Sequence, residues 1–250
     1  MSTPKPNTAS AKSRLADSSY NSPYSHTGAP TPHPNTDPYA PLRARALATL
    51  EAMGYDPATM VERGVLWAED QDPFGHVMQA QFMHFLGTCF HRVMESYAEY
   101  MSEDEYNDMV TAKSVIPVVR RYELDIRRQV KYPDTVSRCG IHPCRGDQHK
   151  TDVKQLIAAY REDGIEPTRN HGTTSLFSLK QQAIVAEVKG STTYVDVKSG
   201  RPVDIRTLGG GWANVFDAFT KKAETSKKIK AKWDCEHPPK SRRGEGSPKL

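Results

Sequence analysis

Trp67-Ala68-Glu69-Asp70-Gln71-Asp72-Pro73-Phe74-Gly75-His76-Val77-Met78-Gln79-Ala80-Gln81-Phe82 is the stretch on which the fold turns. Ahead of it, Val61, Val65, Leu66 and Trp67 are β-branched, aliphatic or aromatic, the residue types of a half-buried strand. The strand breaks at Asp70–Gly75, where Pro73 fixes its own φ and Gly75 admits a backbone conformation that a Cβ hinders. Beyond the break Val77, Ala80, Phe82, Phe85, Leu86, Cys89, Phe90, Val93, Met94 and Tyr97 recur at helical spacing. The spacing predicts a strand, a tight turn with two carboxylates, and a buried helix.

That junction has a chemistry of its own. The first amides of a helix lack intrahelical acceptors, and the helix dipole favours negative charge there. Asp72 stands just ahead of this end, so its charged form is favoured. A carbonyl held nearby would place its developing oxyanion on the free amides while Asp72 attacks it or activates a water. By spacing alone, Asp70 and Asp72 read first as turn and cap residues, a common use of Asp.

Asp70-Gln71-Asp72-Pro73-Phe74-Gly75-His76-Val77 resembles the Asp-x-Asp-x-x-Gly-(His)-Val signature of hot-dog-fold thioesterases of the 4-hydroxybenzoyl-CoA thioesterase type. The resemblance implies an α+β fold in which a curved antiparallel sheet wraps a long central helix. It implies Asp72 as nucleophile or general base and the backbone amide near Gln79 as oxyanion donor. Gly75 would let the substrate approach the backbone, and His76 would orient the reacting groups or simply start the helix. Many family members carry an Asn pair where this chain has Met78 and Gln79; a backbone donor is indifferent to that change. The resemblance also implies an acyl-CoA substrate, no cofactor or metal, and a homodimer or homotetramer, because two subunits usually share each acyl tunnel. It spans roughly residues 60–206, with Tyr132-Pro133-Asp134 at the family's usual end of the second strand. A non-catalytic hot-dog protein that binds acyl groups or serves as an assembly subunit is the competing expectation.

The ends of the chain differ from its middle. Residues 1–41 hold eight of the eighteen prolines among Ser, Thr and Asn, a composition that cannot bury enough apolar area to order itself. Residues 221–250 carry ten Lys/Arg against four Asp/Glu, so the net charge of +4 belongs to this basic tail. The remainder is slightly acidic, which argues against a nucleic-acid partner. The middle, about 42–220, is long enough for one domain. No apolar run is long enough to cross a membrane. Four cysteines in a chain of this size suggest a reducing, intracellular compartment, the cytoplasm first. The terminal Pro248-Lys249-Leu250 approximates a peroxisomal address, and an acid-poor N-terminus leaves the mitochondrion as an alternative.

Along the chain, Leu42–Met53 reads as an amphipathic helix ended by Gly54, packed on the outside of the domain. Asp56-Pro57 opens a turn. Ser102 with Glu105 three residues on is a capping box. Val115–Val130 alternates apolar and charged residues as a strand does. After a polar insertion, Thr135–Gln155, the segment Leu156–Tyr160 is expected to be a strand, although local propensity over Val153–Glu162 is helical. Thr173–Val188 and Gly190–Asp196 read as strands, Ser199-Gly200 as a hairpin turn, Gly209-Gly210-Gly211 as a flexible corner, and Trp212–Ala223 as a last helix.

Other constellations have ordinary explanations. Cys139, His142, Cys144 and His149 are close in sequence, but their spacing fits no zinc fold. His84 and His91 fall on one face of the central helix. Arg169 opens Arg169-Asn170-His171-Gly172-Thr173, read as a tight connection, and is the candidate partner for a CoA phosphate alongside Asp70 and Gly75 as substrate-side residues. Arg120, Arg121, Arg127 and Arg128 belong to a solvated strand face.

Overall fold

The computed structural model describes residues 39–63, 70–131 and 156–238. Helix α1 is Ala40–Ala52, with Pro41 in its first turn and Gly54, at φ +84°, just beyond its end. Its stripe of Leu42, Ala46, Leu47 and Leu50 packs on Ile157, Ala159, Phe177 and Leu179 of the sheet. Asp56 then caps a 3-10 turn, Pro57–Thr59, by accepting from the Ala58 amide at 3.0 Å. Strand β1, Val61–Arg63, follows.

Helix α2, Gln79–Ser96, buries Phe82, Phe85, Leu86, Cys89 and Val93, the positions its period predicts. Helix α3, Glu103–Val110, carries the expected capping box with both reciprocal bonds made. Strand β2 is Val115–Ile126, β3 Leu156–Glu166, β4 Arg169–Ser178 and β5 Ala183–Asp196, with a two-residue β6, Arg201–Pro202. All pairings are antiparallel, in the order β1-β3-β4-β5-β2, with β6 beside β5. Bulges at Val119/Arg121, Glu162/Gly164 and Leu176/Phe177 help to curl the sheet.

Strand β3 shows why pairing overrides local propensity. Leu156 and Ala158 pack against α2, while Ile157 and Ala159 pack under α1. A strand buried on both faces and bonded on both edges gains more than an exposed helix would. The molecule is therefore three layers: α1, the sheet, and a layer of helices in its concave face.

Three expectations are corrected. Arg169–Thr173 is not a tight connection but the first half of β4; the turn lies at Pro167-Thr168. Gly172 sits there because the Tyr160 ring lies where its Cβ would be, and its cross-strand partner Gly190 is covered in the same way by Tyr122. The triple glycine is not a loose corner. Gly209 precedes helix α4, and Gly210 and Gly211 begin it, pressed against Glu105 and Met101 so closely that a Cβ would collide. Helix α4 runs Gly210–Glu236, so much of the Lys-rich segment is helix rather than tail, its first half anchored by Trp212, Val215, Phe219 and Ala223.

Most of the expected N-terminal tail, Tyr132-Pro133-Asp134, the 135–155 insertion, the Cys139–His149 cluster and Pro248-Lys249-Leu250 lie outside the described residues. Ala40 and Pro41, expected in the tail, belong to α1. Among the described residues no helix is long and apolar enough to cross a membrane.

Candidate active site

The turn ahead of α2 is a small hairpin. The Met78 amide donates to the Asp70 carbonyl at 2.8 Å, Gln71 and Val77 form a bridge, and the Asp72 amide donates to the His76 carbonyl at 2.8 Å. Asp72-Pro73-Phe74-Gly75 closes it, the Gly75 amide reaching the Asp72 carbonyl at 3.0 Å. Pro73 presets the second position, and Gly75 takes φ +76°, which favours glycine.

Asp72 stands at the tip. Its Oδ1 accepts the Phe74 amide at 2.9 Å and the His76 amide at 2.8 Å. Its Oδ2 lies 3.7 Å from His76 Nδ1, too long for a hydrogen bond but close enough for attraction. The His76 amide first, with the Phe74 amide and the nearby His76 ring, holds the carboxyl below its ordinary range against the opposing effect of desolvation. Asp72 is thus a charged, partly exposed carboxylate with one oxygen engaged by its own loop. Asp70, by contrast, is buried at the base of the hairpin.

Helix α2 opens at Gln79 with Met78 as N-cap, whose own side chain makes no capping bond. Met offers no side-chain acceptor to the first-turn amides, and that of Gln81 donates to the Met78 carbonyl at 3.0 Å. The hairpin brings Asp70, Asp72, Gly75, His76 and Gln79 into one neighbourhood. Arg169 is not part of it. It starts β4 seven residues before Leu176, which packs with Val77 and Phe82, a separation of roughly 23 Å at strand rise. Arg121 pairs with Glu123, and Arg127 with Asp125 and Glu187, as a solvated face should. His84 and His91 are both exposed on α2. Among the described residues no group of His, Cys, Asp or Glu is arranged to hold a metal.

Two residues of consequence escape a motif reading. Phe74, beside Asp72, is 81 % exposed at the hairpin tip. Glu162, in β3, is buried with Tyr160 and Asn170. Its parity with Leu156, Ala158 and Tyr160 was the available signal, since alternate strand residues share a face.

Strand order and the helix in the concave face decide the architecture. The fold is the hot-dog fold. The chain is also similar to several solved structures. They include a thioesterase from Thermus thermophilus complexed with coenzyme A and zinc (17 % identity, 58 % of this chain and 88 % of that one, TM-score 0.38). A 1,4-dihydroxy-2-naphthoyl-CoA thioesterase from Synechocystis shares 11 % identity over 63 % of this chain and 94 % of its own (TM-score 0.44). A probable thioesterase from Escherichia coli shares 14 % over 59 % and 88 % (TM-score 0.41). At such identities and scores, likeness carries no argument for activity or substrate. No family model and no curated protein matches the chain.

The hot-dog sheet ends at β2, whose only strand neighbour among the described residues is β5. Val118, Val119, Tyr122 and Ile126 on this edge strand are exposed. Such an edge invites pairing with another chain.

Proposed function

We propose that the chain hydrolyses acyl-CoA thioesters with Asp72 as nucleophile or general base. The observation that carries this reading is the ionised, partly exposed Asp72 carboxylate at the tip of a hairpin that leads into the start of α2, where the N-cap Met78 has no polar side chain. Asp72 attacks the thioester carbon, or takes a proton from a water that does, and the coenzyme A thiolate leaves. The Gln79 amide receives the oxyanion, acting through backbone geometry that the Met78-Gln79 departure does not alter. His76 stays within electrostatic reach of Asp72 Oδ2 and steadies its charge. Gly75 keeps the turn open to the substrate. A second copy, paired through the β2 edge, completes the cleft over Asp72.

Asp72→Asn tests the reading. It keeps the shape and loses the nucleophile, so acyl-CoA hydrolysis should fall by at least about a hundredfold, as for the loss of a general base or nucleophile. Unchanged turnover removes Asp72 from the mechanism. Tight acyl-CoA binding by the unmodified protein without turnover selects the non-catalytic alternative.

A further inference from the structure

A cavity of about 350 Å³ lies at the other end of α2, between the α1–β1 connection, β3 and α4. Val93, the nearest α2 residue to line it, is fourteen residues beyond Gln79, or roughly 21 Å along the helix. This is not the Asp72 site. Val93, Phe219 and Ile229 give it apolar walls, Lys222 stands on the wall bonded to Asp56 at 3.1 Å, and Tyr160 and Glu162 also line it.

Glu162 is 3 % exposed, an expensive place for a carboxyl. Its Oε2 accepts from the Tyr160 hydroxyl at 2.9 Å and from Asn170 Nδ2 at 3.1 Å, while Oε1 has no hydrogen-bond partner. Burial pushes the carboxyl up to about 8, although the bonds from Tyr160 and Asn170 and the nearby Gly164 amide oppose that. Glu162 is therefore mainly neutral at pH 7. Tyr160 has one proton for two acceptors, Glu162 Oε2 and Asn170 Oδ1 at 3.2 Å; with that proton on the shorter bond to Oε2, Oε2 is the carbonyl oxygen and the proton of the neutral acid falls to Oε1. The cavity lining thus includes a buried O–H donor with nothing to receive it, and such a group costs stability until an acceptor arrives.

We propose that this cavity binds a small apolar molecule that presents a carbonyl-type acceptor to Glu162. A cavity of this size with apolar walls and such a donor has the form of a small-molecule site. The inference stands apart from the thioesterase reading and survives its failure.

The test uses the full chain with labelled methyl groups and two probes of nearly the same shape, acetophenone and α-methylstyrene, which differ by C=O against C=CH2. Acetophenone should shift the methyl signals of Val93 and Ile229 and bind at least tenfold more tightly. Glu162→Gln keeps a donor and should keep the preference. Raising the pH through 8 should remove the preference in the unmodified protein and not in Glu162→Gln. The groups facing Glu162 do not confuse this titration. Burial first, with neighbouring charge and hydroxyls, keeps the hydroxyls of Tyr97 from the end of α2, Tyr160 of β3 and Tyr194 of β5 un-ionised there. The charged and polar groups also facing it are Asp163 of β3, Asn170 of β4, and Asp56, Lys221 and Lys222 on the cavity wall. Equal affinity for the two probes, binding of neither, or a preference indifferent to pH in the unmodified protein overturns the proposal.

Discussion

Glu105 ties two helix starts together, and removing its charge should loosen both. Its Oε2 accepts the Ser102 amide at 2.9 Å and the Ser102 hydroxyl at 2.8 Å, closing the capping box of α3. Its Oε1 accepts the Gly211 amide at 2.9 Å, the first-turn donor of α4, which lies 106 residues away. One carboxylate thus faces the positive ends of two helix dipoles. The Gly211 and Ser102 amides hold its pKa below the ordinary 4.5. A charge-assisted bond is worth about 1.5–3 kcal/mol and an N-cap about 1 kcal/mol, reduced here by partial exposure. Glu105→Ala should therefore cost about 2–4 kcal/mol and Glu105→Gln, which keeps the shape, about 1–2 kcal/mol. In thermal unfolding the Ala variant should lose roughly 5–12 °C. Because the folded pKa is depressed, this stabilisation is present above pH 4.5 and fades as pH falls through the folded value. Urea titrations of the unmodified protein and of Glu105→Gln should differ at pH 7, and the difference should shrink as the pH is lowered below 4.5. Amide exchange at Gly211 and Trp212 should quicken in both variants at pH 7. Differences below about 0.5 kcal/mol at pH 7, or equal pH slopes, would refute the shared-cap reasoning.

Gly172→Ala should cost about 1–3 kcal/mol, because the Tyr160 ring over it is pinned by Glu162 and Asn170 and cannot move aside. Gly190→Ala should cost less than half as much, since the half-exposed Tyr122 ring can swing into solvent; equal penalties by chemical denaturation would contradict this. Glu162→Gln should gain stability over the unmodified protein as pH rises. The neutral carboxyl stabilises the fold at low pH, and that contribution is lost as pH climbs from 4.5 to about 8, by roughly 2–4 kcal/mol. A stability difference that does not grow between pH 5 and pH 9 would sink it. Val119→Lys on the β2 edge should shift the chain toward monomer in light scattering and lower acyl-CoA hydrolysis with it; an unchanged mass would place the interface elsewhere.

Local patterns were sufficient where one residue's neighbours in sequence are also its neighbours in space. The α2 period, the α3 capping box, the Gly54 stop and the Asp72–Gly75 turn are all of this kind, and a motif of eight residues carried the resemblance. The sequence was also right about β3, but for a reason it did not itself contain. Leu156–Tyr160 favours helix alone and becomes a strand only because β1, β4, α1 and α2 surround it. Arg169 reads as part of a tight connection in sequence, whereas pairing with β3 and β5 makes it the first residue of β4. Gly210 and Gly211 looked loose until Met101 and Glu105 closed on them. What the chain alone determined, then, was its short-range structure and the chemistry of one turn. What tertiary structure decided was every contact between residues far apart in sequence, including the buried Glu162 and its cavity, because burial and partnership are set by elements that meet only after folding.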